Sequence, residues 1–321
     1  MFVVSCALVA LAPRGISRRS AIGAASVTSL IVASPSIAAV PSGEGTEREE
    51  LTTVFVPTGS GGGTVGVARR RFTGAGDSRW KFPQRDISAQ VYSDAWPDAF
   101  PFTAADFTRI DEAPDTDFYR PFLPKLVYHI DEAAVCALMR YYDSAIPDGS
   151  DILDICSSWV SHYPRSFMTA SPGSAPQPGR MNSITGTGIN TVELGCNDQL
   201  SSFKQADLNA SPKLPFPDRS FDAITCVVSF DYLTRPLEVL REVARVLRPG
   251  GQLIISQSNR CFYTKAVGIW TQDMSDLAHL RVLGTYIHFA SGAFSAPRAI
   301  DISPTGPGTN DPLFVITARR A

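Results

Sequence analysis

No two cysteines in this chain stand at C-x-x-C spacing, and no histidine lies near any of them at the interval that zinc ligands use; Cys6, Cys136, Cys156, Cys196, Cys226 and Cys261 are scattered singly. A structural metal is therefore not expected. An excess of either charge is also lacking. With 29 Lys and Arg against 31 Asp and Glu, the formal net charge is −2, which gives no electrostatic case for nucleic acid as the main partner. The one basic run, Arg69-Arg70-Arg71, reads as a solvated loop. Long apolar runs are missing as well, since Ala21 to Ala33 falls short of the roughly 20 residues that cross a bilayer, so no stable membrane span is expected. What remains is an ordinary globular composition, 44% hydrophobic and 19% charged.

The ends of the chain differ in kind. Residues 1–43 contain no Asp or Glu, are rich in Ala, Ser and Val, and carry Arg14, Arg18 and Arg19 as their only charges, which is the composition of a targeting segment. Ser17-Arg18-Arg19-Ser20 before an apolar core, with Ser36-Ile37-Ala38 as a small-residue cleavage site, resembles a twin-arginine export signal. A second acid-free apolar segment precedes it, and the whole resembles a two-part plastid signal. A plain transit peptide or secretory signal with a chance Arg-Arg pair is the alternative. The expected location is the plastid, with the sub-compartment, thylakoid-associated or lumenal, left open.

Residues 44–118 read as an irregular arm with one strand-like piece, Thr52 to Val56. Gly61 to Gly66 formally satisfies G-x-G-x-x-G, yet Val65 to Phe72 has no helical stripe and no βαβ unit follows, so a glycine loop is expected and a dinucleotide site is not. Trp80, Phe82, Trp96, Phe100 and Phe102 imply that part of the arm packs on the main domain.

The most decipherable stretch is Leu214 to Asn259. Phe221 to Ser229 is a buried strand, and Pro236 opens a helix with Leu237, Leu240, Val243, Ala244 and Leu247 on one stripe. Pro249-Gly250-Gly251 stops it before the strand Leu253-Ile254-Ile255. Strand, amphipathic crossover and strand make a βαβ unit of a parallel sheet.

Leu214-Pro215-Phe216, Asp218, Ser220-Phe221-Asp222 and Leu247-Arg248-Pro249-Gly250-Gly251, in this order, resemble the second half of the class I S-adenosylmethionine-dependent methyltransferase family. The resemblance covers roughly residues 119–321, giving a division into a targeting segment (1–43), an irregular arm (44–118) and a methyltransferase-like domain (119–321). It implies an α/β class fold: a doubly wound, mostly parallel seven-stranded Rossmann-like sheet with an antiparallel C-terminal strand. Around the βαβ unit the periodicity predicts a helix over Asp131 to Tyr142 and strands at Asp151 to Ile155, Ser183 to Thr187 and Ser202 to Ala206. A short helix is expected over Ser158 to Tyr163 and a longer one over Trp270 to Phe289. Arg298 to Ile302 and Leu313 to Ala318 close the fold as an antiparallel pair, and the Pro/Ser/Gly run Met168 to Gly179 is a surface insertion.

The departure from the family lies at the first strand. The usual L-D-x-G-x-G-x-G is here Leu153-Asp154-Ile155-Cys156-Ser157-Ser158-Trp159-Val160, so the acid is kept and every loop glycine is replaced. The resemblance implies that Asp154 anchors the loop while the Ser157 and Ser158 hydroxyls bond the cofactor; the alternative is a loop that no longer binds it. The family's ribose-binding acid falls at Gly188. Asn190 is a substitute for it, or else the N-cap of a helix, because Asn190-Thr191-Val192-Glu193 has capping-box spacing. The family also implies Asp207 at the adenine amino group, Leu208 against the ring, Ser229 at the end of the fourth strand, and a flap over the cofactor before the first strand that holds Tyr119 and His129. Asp207 as a plain turn cap is its alternative.

The expected function is S-adenosylmethionine-dependent methyl transfer to a small or medium-sized acceptor. A non-catalytic binding or assembly protein with the same fold is the alternative. No catalytic residue stands out: His129, His162 and Tyr232 are possible bases, and Trp159, Phe230, Tyr232 and Phe262 possible walls for an apolar or aromatic acceptor.

Overall fold

The computed structural model describes residues 49–58, 63–120, 124–169, 177–290 and 292–321. The expected targeting segment, the glycine pair 61–62 and most of the insertion lie outside the described residues. Among those described, no helix is long and apolar enough to cross a membrane.

The arm begins with an antiparallel hairpin of β1 (Glu49–Thr58) and β2 (Gly63–Phe72). The expected irregular arm thus contains a ten-residue ladder where one short strand was anticipated, and the Arg69 to Arg71 run lies in β2 rather than in a loop. After it come β3 (Arg85–Asp86), α1 (Ser88–Val91), a 3₁₀ turn at Ala104–Phe107 and α2 (Asp115–Phe118). Then α3 (Glu132–Ala145) leads into β4 (Asp151–Ile155), followed by the paired fragments β5 (Met168–Thr169) and β6 (Gln177–Pro178). The middle of the chain supplies β7 (Ser183–Gly188), α4 (Thr191–Cys196), β8 (Ser202–Gln205) and β9 (Phe221–Val227). A 3₁₀ turn at Phe230–Tyr232 precedes α5 (Pro236–Val246) and β10 (Leu247–Gln257). The chain ends through α6 (Gly268–Gln272), α7 (Asp276–His288), β11 (Arg298–Asp301) and β12 (Phe314–Arg319).

The main sheet runs β3-β11-β12-β10-β9-β4-β7-β8. From β8 to β10 it is parallel; β12 runs antiparallel to β10 and β11. This is the expected doubly wound Rossmann-like sheet with one correction. It has eight strands rather than seven, because the arm lends β3, which pairs antiparallel with β11 through Asp86 and Arg85. A two-residue strand of charged residues carries no apolar alternation, so nothing in its sequence marks it.

Burial explains which helices form. In α5, Pro236 occupies the first turn and Val239, Leu240, Val243, Ala244 and Val246 are buried, packing with Leu280, Leu283 and Tyr286 of α7 on one face of the sheet. Leu138, Tyr142 and Ala134 of α3 join Ile152, Ile184 and Leu194 in a second cluster. Helix α5 ends at Val246, and Gly250 lies within β10 at φ +78°, which a glycine takes without strain at the irregularity in pairing with β9 between Leu247 and Gln252.

Two expected helices fail. Ser158 to Tyr163 is an extended loop: Cys156 and His162 both have positive φ, and Ser161 N–H bonds the Gln199 side chain 3.1 Å away rather than a helical carbonyl. Trp270 to Phe289 is broken at Ser275, whose hydroxyl accepts the Ala278 N–H and starts α7 afresh. The aromatic residues of the arm do pack on the rest of the chain. Trp96 stacks on His288 with centroids 4.6 Å apart, Phe100 and Phe102 lie against Tyr286, and Arg140 sits over the Phe82 ring.

Candidate functional site

A cavity of about 310 Å³ opens at the carboxyl ends of the parallel strands, where ligands bind in open α/β sheets. It is lined by the loop after β4 (Cys156, Ser157, Ser158), the end of β7 (Gly188, Ile189, Asn190), the turn after β8 (Asp207, Leu208, Asn209) and Val228-Ser229 after β9. Six of the seven residues named for the cofactor from sequence are therefore brought together: Ser157, Ser158, Asn190, Asp207, Leu208 and Ser229. Asp154 is not among them. It borders a smaller neighbouring cavity of about 50 Å³.

Asp154 faces the α3 side of the sheet, buried among Tyr142, Tyr163 and Thr225. Its Oδ1 accepts the Thr225 hydroxyl at 3.0 Å, and Thr225 in turn shares a hydrogen bond with the Tyr163 hydroxyl. Burial lifts its carboxyl to about 6, opposed by the hydroxyls of Ser161, Ser157 and Thr225. A carboxyl raised from 3.8 to about 6 binds its proton more tightly when folded, so this group's contribution to stability is greatest at low pH and declines as pH rises from about 4 through 6. Chemical denaturation across that range should therefore show wild-type stability falling by about 3 kcal/mol relative to Asp154→Asn. A flat difference would show that Asp154 has an ordinary carboxyl.

The replaced glycines are compensated by hydrogen bonds. Ser158 Oγ donates to Glu193 Oε2 at 2.6 Å and its carbonyl accepts from Asn197 Nδ2 at 2.9 Å. Ser157 N–H reaches the Thr187 carbonyl at 2.8 Å. Its Oγ is buried and completes no hydrogen bond of ordinary geometry, although it still favours the Asp154 charge. Trp159, the residue best able to plug the cavity, turns away: its indole N–H donates to Val127 O at 3.1 Å and its ring packs with Val192 and Cys196. Val160 packs on the same small cluster. The loop thus takes a path that leaves the cavity clear.

Asn190 is the N-cap of α4. Its Oδ1 accepts from Val192 N and Glu193 N, and its Nδ2 donates to Arg120 O and Glu193 Oε1, so every polar position of its amide is engaged within the protein. That removes it as a ribose acceptor, the role it shared with capping in the sequence reading. Asp207 Oδ1 accepts from Asn209 N and Ala210 N at 2.9 and 3.1 Å, a turn cap that leaves Oδ2 without a partner among the described residues. Ser229 Oγ bonds the Val227 carbonyl at 2.7 Å.

Sequence reasoning missed four contributors: Glu193, Asp115, Lys125 and Arg260. Glu193 is buried, accepts from Lys125 N, Ser158 Oγ and Asn190 Nδ2, and is pushed upward by burial against those bonds. The capping-box spacing was its only trace. Asp115 comes from the arm and carried no signal at all. It is gripped by Arg109 at 2.8 Å, Lys265 at 3.3 Å and Asn209 Nδ2 at 2.8 Å, with the Arg109, Asp115 and Lys265 side chains at 6, 5 and 1% exposure. That buried triad holds α2 and Tyr119 against the cavity. Of the expected aromatic walls, Tyr232 and Phe262 line it, whereas Phe230 is part of the core.

Sequence comparison agrees with this architecture over part of the chain. The methyltransferase domain family model matches residues 180–255, which bears out the resemblance seen at Leu214 to Asn259 and leaves out the loop that lost its glycines. Over 58 residues the chain is 43% identical to a ubiquinone/menaquinone biosynthesis C-methyltransferase of Azotobacter vinelandii, covering 18% of this chain and 22% of that protein. Over 114 residues it is 32% identical to a demethylmenaquinone methyltransferase of Mycobacterium sp., covering 30% of this chain and 50% of that one. The chain thus spans between about a fifth and a half of the length of these curated relatives. Among solved structures, a SAM-dependent methyltransferase from Aquifex aeolicus superposes with TM-score 0.41 and 15% identity, over 68% of this chain and 100% of that one.

Proposed function

We propose that this protein is an S-adenosylmethionine-dependent methyltransferase acting on a small or medium-sized acceptor. The observation that carries the proposal is the clear cavity at the strand ends, in which the divergent loop presents hydroxyls and Trp159 is drawn aside. The residues present suit the cofactor. Ser157 carries a buried hydroxyl beside the Asp154 carboxyl, Asp207 keeps one carboxylate oxygen for an adenine amino group, and Leu208 gives an apolar surface for the ring. The Ser158 hydroxyl, whose proton goes to Glu193, keeps its lone pairs as an acceptor in place of the acid absent from position 188. Ser229 lies at the end of β9, and Asp154 supports the loop from beneath. The bound cofactor would supply a methyl group activated by its positive sulfur. The chain's part is to hold the acceptor in near-attack geometry and to keep water away. A quinol-like or other aromatic acceptor agrees with the printed activities of the relatives and with the aromatic lining. The N-terminal composition supports a plastid location.

Calorimetric titration with S-adenosylhomocysteine tests this reading. Binding in the micromolar range is expected, and Asp207→Ala should weaken it by about tenfold, the equivalent of one charge-assisted hydrogen bond. No heat and no thermal shift at millimolar ligand would refute it.

A further inference from the structure

Resting on the methyl-transfer reading, we infer that His129 is the general base of this site and that the acceptor is a hydroxylated aromatic that gives up its proton on methylation. Phe262 lies at the centre of a ring cluster, with centroids 5.2 Å from His129, 5.1 Å from Phe118, 5.9 Å from Tyr232 and 6.5 Å from Tyr119. Phe262, His129, Tyr232 and Tyr119 all line the cavity. A planar, largely apolar acceptor fits between such walls, where edge and face contacts with rings are favourable.

Within that aromatic part, His129 is the side chain placed to take a proton. Its ring makes no hydrogen bond among the described residues, remains accessible, and borders both cavities. Tyr232 Oη already accepts the Phe262 N–H at 2.8 Å. Lys125 donates to the Phe118 carbonyl at 2.7 Å and lies over the Phe118 ring. His162, the other histidine considered from sequence, borders only the smaller cavity. Two carboxylates of the lining are committed elsewhere, Asp115 to Arg109, Lys265 and Asn209, and Glu193 to Lys125 N, Ser158 and Asn190; the third, Asp207, belongs to the turn after β8 that the methyl-transfer reading gives to the adenine. Desolvation by the cavity walls, partial because the ring stays accessible, and the Lys125 charge both lower the His129 proton affinity, which favours the neutral imidazole at neutral pH.

The step balances without any further reagent. An oxygen lone pair of the acceptor forms the new bond to the methyl carbon while the carbon–sulfur bond breaks, its electron pair staying on sulfur to give the neutral thioether. The acceptor's hydroxyl proton passes to His129, and the imidazolium later releases it to water.

The test follows methyl transfer from S-adenosylmethionine to phenol, which stays protonated across the range, as a function of pH. In wild type kcat should fall as pH drops through an ionisation below the ordinary imidazole value. His129→Gln and His129→Asn, which remove no hydrogen bond, should lower kcat at least about tenfold and abolish that ionisation, while binding of S-adenosylhomocysteine is retained. Wild-type kcat in both variants, an ionisation that persists in them, or failure of wild type to methylate phenol while it binds S-adenosylhomocysteine overturns the inference. Failure of S-adenosylhomocysteine itself to bind wild type overturns the methyl-transfer reading along with it.

Discussion

Gly188→Asp, which restores the acid that class I methyltransferases carry at this position, is expected to abolish S-adenosylhomocysteine binding rather than improve it. A Cβ built on Gly188 would sit 2.2 Å from the carbonyl oxygen of Ser157, and backbone cannot swing aside as a flexible side chain can. The loop after β4 runs close over the end of β7, tied there by Ser157 N–H to Thr187 O. Accommodating any side chain would push that loop off its path. Overpacking of this kind costs about 3 kcal/mol, which for a chain of this size is a fall in Tm of about 6 °C. Thermal melting and calorimetry on Gly188→Asp and Gly188→Ala check it together. An aspartate variant that melts like wild type and binds more tightly would show that the loop does not pass so close.

The second large effect lies at Asp115. Its removal leaves Arg109 buried without its anion and Lys265 with only the more exposed Asp111, and breaking a buried ion pair by deleting one member typically costs about 3–5 kcal/mol. Asp115→Ala should therefore lower urea stability by that amount and weaken S-adenosylhomocysteine binding, since α2 and Tyr119 would lose their attachment to the cavity wall. Asp115→Leu combined with Arg109→Leu and Lys265→Met should recover most of the stability, because no unpaired charge then remains buried. If the single variant is as stable as wild type, the triad does not hold the arm.

Much of the architecture could be read from residues because the signals were local and redundant. Pro236 at the start of α5, its apolar stripe and Pro249-Gly250-Gly251 at the end each pointed to the same βαβ unit. The candidate site was legible where it depends on strand ends, which is why Ser157, Ser158, Asp207, Leu208 and Ser229 fall around one cavity. What escaped was set by distant partners. Ser158 to Tyr163 has the length and composition of a helix, yet Gln199, Val127 and Thr225 each draw a polar group of that segment out of helical geometry. Asp115 and β3 belong to a stretch without periodicity, and their roles come from Lys265 and β11, some 150 and 215 residues away in the chain. Asn190 is an instance of two sound sequence readings in competition, and the capping geometry consumed the whole amide.

The ordering of the main sheet has a consequence for crowding and concentration. Its two outermost strands are β3, with only Arg85 and Asp86, and β8, with the solvent-facing Ser202 to Gln205. A neighbouring chain approaching either rim would find a short strand, Arg85 and Asp86 in β3 or Ser202, Lys204 and Gln205 around the single exposed ring of Phe203 in β8, in place of a long apolar template. By lending β3, the arm covers β11, whose Ala299 and Ile300 would otherwise offer such a template. The arm thereby occupies one rim of the main sheet that another chain's backbone could otherwise pair with.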